Sequence, residues 1–255
     1  PVNTPMRSKR PGPEGQTTVT TVPGRPGGKG MAMIDYTLDE SVALVTLNNG
    51  ENRFNPEFLE AYLAVLDEIE QQTDARTLVV QSAHEKIFSN GIDLEWLVPV
   101  IQQGDAEAAK NFFYLLNRLL LRLATYPAIT IAAMNGHAFA GGAIMSCAFD
   151  FRLMRADRGF FCLPEVDLGI PFLPGMNAIL SKAIPRYMLE EMQYSGCRLT
   201  AEQCATHHIV RQACHIDELM PVTLALAKSL NKKRAIVQEL KRRLNRDIIQ
   251  PLLVE

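Results

Sequence analysis

Short β-branched runs alternate with helical patterns along most of the chain, and this alternation constrains the fold more than any other feature. Val42–Leu47 (VALVTL) reads as a strand. Asn55 then stands as a helix cap with Pro56 at the first helical position, and Leu59, Tyr62, Leu63, Leu66 and Ile69 recur on one helical face. Thr77–Gln81 (TLVVQ) is a second strand, and Ala106–Ala124 is a long amphipathic helix that stops before Pro127. Ile129–Met134 (ITIAAM) is a further strand, Phe151–Met154 continues the β series, and from Gly175 onward the pattern is mostly helical. Strands separated by helices imply an α/β class with a largely parallel sheet. No fixed-period repeat or internal linker is visible after residue 30.

The first 30 residues stand apart. They hold 6 of the 15 Pro and 6 of the 16 Gly, with five Lys or Arg and one Glu. They carry a net charge of +4 and leave the body at −6. So few apolar groups cannot offset chain entropy, so disorder is expected for 1–30, with one domain over 31–255. The segment lacks the apolar stretch of a secretory signal, and Met31 and Met33 are candidate starts that would make it upstream sequence. No run approaches the ~18 apolar residues of a membrane span. A total charge of −2 gives no general case for nucleic-acid binding. The five cysteines (Cys147, Cys162, Cys197, Cys204 and Cys214) include no CxxC pair. They read as reduced, mostly buried thiols, and no metal site is expected.

Two glycine-bearing corners depart from plain packing logic. Phe88–Leu94 (FSNGIDL) follows the second strand, and Asn135–Ala143 (NGHAFAGGA) follows ITIAAM. Glycine at such hand-overs lets backbone approach a ligand with no Cβ in the way. Gly141-Gly142 also opens an apolar run to Phe149 that reads as a buried helix. The first-turn amides of such a helix are unpaired and favour an anion. Tight turns and close helix–strand packing explain the same glycines, and spacing alone leaves both readings open.

In order and spacing, FSNGIDL, NGHAFAGGA and FFCLPEVDLGIP resemble the signature segments of the crotonase (enoyl-CoA hydratase/isomerase) superfamily. The resemblance runs from about residue 34 to about 230. FSNGIDLEW, RADRG and EVDLGIP look most like the Δ3,Δ2-enoyl-CoA isomerase branch. It implies a spiral of ββα repeats over about 31–200, followed by C-terminal helices over about 201–255. It further implies an acyl-CoA thioester substrate and packing into a homotrimer or a dimer of trimers. No separate cofactor is expected, coenzyme A being part of the substrate. By position, the oxyanion hole falls on the amides of Ile92 and Gly141, where a thioester enolate would be held.

The hydratases of this family use two glutamates. The first position is Ile144 here, which cannot titrate, and the second is Glu165 in LPEV. A carboxylate between Pro and Val beside an apolar acyl pocket should have a raised pKa, suited to a general base. One base and one oxyanion hole suit a proton shuttle that moves a double bond rather than adds water. Hydrolysis, dienoyl-CoA isomerisation or hydration, or a non-catalytic acyl-CoA- or RNA-binding role are the competing readings. Phe88, Asn90, Gly91, Asp93, Trp96, Gly142, Ile144 and Phe172 are the expected substrate-binding residues, with Leu94–Val100, Met145 and Leu173 as further wall candidates. Arg53 and Lys86 are the nearest cations for coenzyme A.

The remaining motifs read as structural. His137 has no Ser, Cys or Asp partner placed for a triad, and His207-His208 point apart on a helix. The family usually has Gly near His208, so the local turn is a departure. The last helix carries Lys232, Lys233, Arg234, Lys241, Arg242, Arg243 and Arg246 beside a stripe of Ile236, Leu240, Leu244 and Ile248. A solvated or subunit-packing face is expected there, with nucleic-acid contact as the rival. A cytoplasmic location is expected, with mitochondria or peroxisomes open; PLLVE is not an SKL address.

Overall fold

Four successive passes of strand, short strand and helix build the molecule. A computed structural model describes residues 20–21 and 32–253, so the expectation for the first 30 residues lies almost wholly outside the described part. After β1 (Thr20–Thr21) and β2 (Ile34–Asp39), the first pass is β3 (Val42–Leu47), β4 (Arg53–Phe54) and α1 (Pro56–Gln72). The second is β5 (Thr77–Ser82), β6 (Ile87–Ser89), β7 (Gly91–Ile92), α2 (Leu94–Gln102) and α3 (Ala106–Ala124). The third is β8 (Ile129–Met134), β9 (His137–Phe139) and α4 (Gly141–Ala148). The fourth is β10 (Phe151–Arg155), β11 (Phe161–Cys162) and α5 (Glu165–Leu168).

The long strand of each pass joins one seven-stranded sheet, ordered β1-β2-β3-β5-β8-β10 and ending on β13 (Gln212–Cys214). Every pairing from β3 onward is parallel. The short strands form a four-stranded sheet, β12-β11-β9-β6, where β12 is Arg198–Leu199, and a two-stranded pair, β4-β7. This is the expected spiral of ββα units. The remaining elements are α6 (Pro174–Ala183), α7 (Arg186–Ser195), α8 (Ala201–Thr206), α9 (Ile216–Ser229), α10 (Arg234–Leu244) and α11 (Arg246–Leu252).

Period-2 alternation sorts the large sheet onto two cores. Val42, Val79, Ile131, Ala133 and Leu153 face α9, through Leu219 and Ala227. Ala43, Val45, Val80, Ala132, Met134 and Met154 face the main core with α1, α3 and α4. Asn55 caps α1, its side chain accepting from the Phe58 amide at 3.0 Å with Pro56 at N1, as read from the sequence.

Two expectations change at the C-terminal end. The last helix is two helices, α10 and α11, meeting at Asn245. Three of the four residues of its apolar stripe face outward: Ile236, Leu240 and Leu244 are 60%, 63% and 85% exposed, while Ile248 packs on the core and Val237 and Lys241 are buried. Lys241 turns inward because Asp150 lies there as a partner, at 2.6 Å, and the Ala128 carbonyl accepts a second bond at 2.7 Å. Arg242 and Arg243 both pair with Glu239, so part of the basic face is neutralised within its own helix. His208 adopts a left-handed turn, at φ 57°, where the resemblance led glycine to be expected. Among the described residues no helix is long and apolar enough to cross a membrane, and no group of His, Cys, Asp and Glu could hold a metal.

Asn52 ties the first pass to the second. At φ 52° it is fully buried; its side-chain oxygen accepts from the Asn49 amide, and its amide group donates to Ser82 Oγ at 2.8 Å and the Phe88 carbonyl at 2.9 Å. Asn52→Ala leaves those partners unpaired and is expected to lower stability by about 2–4 kcal/mol. Urea unfolding followed by fluorescence of the single tryptophan, Trp96, measures this; a loss under about 0.5 kcal/mol contradicts it.

Candidate active site

Parallel pairing of three short strands brings three corners to one place. β6 pairs with β9 and β9 with β11, all in the same direction. The chain therefore leaves all three at the same edge: at Asn90–Gly91, at Ala140–Gly141, and at Leu163–Glu165. A Cβ on Gly91, at φ +75°, would stand 2.4 Å from the Gly141 nitrogen. One on Gly142 would stand 2.2 Å from the Ser89 carbonyl oxygen. Backbone-to-backbone contact, not turn geometry alone, requires these glycines.

This contact sets two amides side by side. The Asp93 amide donates to the Phe54 carbonyl at 2.9 Å. Successive amides of an extended strand point opposite ways, so that of Ile92 is directed away from β4, towards Gly141. It lies 3.3 Å from where a Cβ on Gly141 would be. Gly141 starts α4 with no side-chain cap, after Ala140 in a positive-φ conformation at 49°. The first helical bond runs from the Ile144 amide to the Ala140 carbonyl, so the Gly141 amide has no partner within the helix.

Both residues line a cavity of about 330 Å³, with Glu165 on its wall. The rest of the lining is mainly apolar, including Leu97, Phe113, Phe139, Leu168, Phe172, Leu173 and Met176. Glu165 opens α5 and is 7% exposed, and its Oε2 has no hydrogen-bond partner. Desolvation raises its pKa from the ordinary 4.5 to about 7, and its only opposing influence is a bond from its own backbone. Ile144 lines the same cavity, so Glu165 is the one carboxyl-bearing residue among its lining.

Arg53, Asn90, Ile92, Gly141, Ile144, Glu165 and Phe172 of the sequence-predicted set line this cavity. Gly91 and Gly142 lie directly behind it as the contacting backbone. Asp93 caps α2 and lines an adjoining polar groove with Asn49, Glu51, Arg53, Asn55 and Glu95. Phe88 is fully buried in the core, Met145 likewise, and Trp96 packs on Phe112 at a ring separation of 5.3 Å. These three are not part of the lining. Lys86 is exposed at the opposite end of β6, its carbonyl accepting from the His137 amide, and does not line the cavity. Arg53 is at the mouth but engaged, with Glu51 at 2.7 Å and Glu95 at 3.3 Å. His137 is structural, its Nδ1 accepting from the Phe160 amide at 3.2 Å. Phe113 and Met176 carried no sequence signal, since α3 and α6 reach the cavity only through tertiary packing. Phe139 stands just before the Ala140 turn within NGHAFAGGA and was the legible omission.

Residues 37–254 match the family model described as enoyl-CoA hydratase/isomerase. The chain belongs to that family. It is 31% identical over 198 residues to enoyl-CoA delta isomerase 3 of Arabidopsis thaliana, spanning 75% of this chain and 82% of that protein. It is 30% identical to peroxisomal enoyl-CoA delta isomerase 2 of the same plant, with the same shares covered. An enoyl-CoA hydratase/isomerase family protein from Pseudomonas syringae superposes with a TM-score of 0.78 at 26% identity, covering 86% of this chain and 93% of its own.

The buried carboxyl makes stability depend on pH in a stated direction. Free in the unfolded chain, Glu165 ionises near 4.5; folded, it ionises near 7. The folded state thus holds the proton more tightly, and stability falls as pH rises between those values. Glu165→Gln removes this dependence. Its stability relative to wild type is expected to improve by about 2 kcal/mol between pH 5 and pH 8. Urea midpoints at both pH values test this, and a difference that does not change with pH refutes the buried-acid assignment.

Proposed function

We propose that this protein is a Δ3,Δ2-enoyl-CoA isomerase in which Glu165 carries a proton from C2 to C4 of the acyl chain. The observation that carries the reading is the Glu165 carboxyl, its Oε2 without a partner, on the wall of the cavity that Ile92 and Gly141 also line. The delta-isomerase names of two relatives favour the same reaction.

The thioester oxygen of a 3-enoyl-CoA accepts from the Ile92 and Gly141 amides. The Glu165 carboxylate removes a proton from C2, the electron pair delocalises, and a dienolate forms on the thioester oxygen. Donors already in place stabilise that charge without reorganising. The protonated Glu165 then delivers the same proton to C4, leaving the double bond between C2 and C3. Nothing is gained or lost, and no water enters. A pKa near 7 makes Glu165 a competent base and, once protonated, a competent acid. Ile144, lining the same cavity, leaves no second carboxyl to hold an attacking water. Phe172 and its apolar neighbours take the acyl chain, with Asn90, Gly91, Asp93 and Gly142 shaping the turn around the thioester. For Arg53 to contact a coenzyme A phosphate it must exchange Glu51 and Glu95 for the ligand.

With 3-hexenoyl-CoA, conjugated enoyl thioester is expected to accumulate without release of free thiol. kcat/KM should rise with pH to a plateau above about 7, as Glu165 ionises. Glu165→Gln should retain acyl-CoA binding and lose at least about 10³-fold in kcat. Thiol release in place of conjugation, or an active Gln variant, overturns the proposal.

A further inference from the structure

The carboxyl end of α4 has a concentration of positive charge that the proposed proton shuttle leaves unexplained. All eight residues of α4 are buried. Behind its last turn, Arg152 donates to the carbonyls of Phe149 at 2.9 Å, Ser146 at 3.3 Å and Ile209 at 2.7 Å. Lys182, from α6, donates to the Phe149 carbonyl at 2.6 Å and the Cys147 carbonyl at 3.4 Å. Lys241, from α10, pairs with Asp150 at 2.6 Å, and Asp150 also accepts from the amide and hydroxyl of Thr130. Three cations thus gather behind α4 with one carboxylate, Asp150, which only Lys241 pairs directly. The charge is costly to bury, and Lys182 is held down to about pKa 8, first by desolvation and then by Arg152.

We propose that Arg152 and Lys182 are positioning residues for the oxyanion site: they anchor and neutralise the carboxyl end of α4, so that its uncapped amino end presents positive potential to the cavity. A helix carries about half a unit charge at each end, negative at the carboxyl end. Eight residues span only about 12 Å. An uncompensated carboxyl terminus in so short and dry a helix would oppose the Gly141 amide at close range. Cations there cancel that opposition and add a field of the sign that favours an enolate. The carbonyl bonds also fix the helix along its axis, and with it the Gly141 amide against Ile92. Among the described residues the groups facing Lys182 are Arg152 on β10, Asp150 in the turn before it, Lys241 on α10 and Cys147 on α4, and Asp150 is paired with Lys241. The inference rests on the isomerase reading for its kinetic consequence but not for its electrostatic one.

Lys182→Gln keeps a donor for the carbonyls and removes the charge; Lys182→Arg restores the charge. The direct readout is the ultraviolet spectrum of bound acetoacetyl-CoA, an enolisable thioester whose enolate fraction reports the oxyanion site without requiring turnover. The enolate-to-keto ratio is expected to fall roughly three- to tenfold in Lys182→Gln, with recovery in Lys182→Arg. kcat for 3-hexenoyl-CoA should fall by a similar factor with KM nearly unchanged. Enolisation itself releases a proton, so the enolate ratio is compared with that of Lys182→Arg at each pH: wild type should match it below about pH 8 and fall below it above, where Lys182 discharges. If the Gln variant unfolds, that divergence from Lys182→Arg still decides the matter. An unchanged enolate ratio in a folded Gln variant, or a wild-type ratio that tracks Lys182→Arg across pH 8, overturns the inference. If acetoacetyl-CoA responds as stated while 3-hexenoyl-CoA is never turned over, the isomerase reading fails and the electrostatic one stands.

Discussion

The parallel register of β6, β9 and β11 is the constraint on which the rest of the structure depends. Three strands of two or three residues each contribute little burial of their own. Their common direction nevertheless makes the chain turn at one edge three times, and each turn delivers one component: the Ile92 amide, the Gly141 amide and the Glu165 carboxyl. The Gly91–Gly141 contact then leaves no space for any side chain between two of those turns. A shift of one residue in any of the three pairings would separate the components.

Electrostatically the interior is arranged against its own comfort. Glu165 is enclosed among apolar groups with its Oε2 unpartnered, so its charged form is disfavoured. Behind α4 the opposite imbalance holds: Arg152 and Lys182 donate to the Phe149 carbonyl, and only Lys241 is paired with Asp150. Both are local costs within a fold whose two cores supply ample apolar burial on either face of the main sheet. Local violations of this kind are where function is expected to concentrate, since packing alone would remove them.

Much of this was legible along the chain because it is local. The Asn55–Pro56 start of α1 and the five-residue stripe behind it need only capping and helical period. ITIAAM alternates between the two faces of the sheet as its period dictates. The buried α4 after Gly141-Gly142 follows from a helix that is apolar all round. The same local logic left the direction of the stripe open at α10. There Ile236, Leu240 and Leu244 form a correct amphipathic stripe that faces outward, because the inward place goes to Lys241 and its ion pair with Asp150, 91 positions earlier in the chain. Nearness in sequence to a corner likewise did not place Lys86 on the cavity, because it does not say which end of a short strand a residue occupies.

The sequence by itself determined most of the elements, since each depends on neighbours within a few residues, whereas the glycine corners and Glu165 stood out only through the family resemblance of their segments. Only the tertiary structure decided that the Glu165 Oε2 lacks a partner, that Phe113 and Met176 reach the cavity, and that Arg53 is held by Glu51 and Glu95. Burial, desolvation and ion pairing are set by whatever packs alongside, and in a spiral of repeats those neighbours come from other turns of the chain.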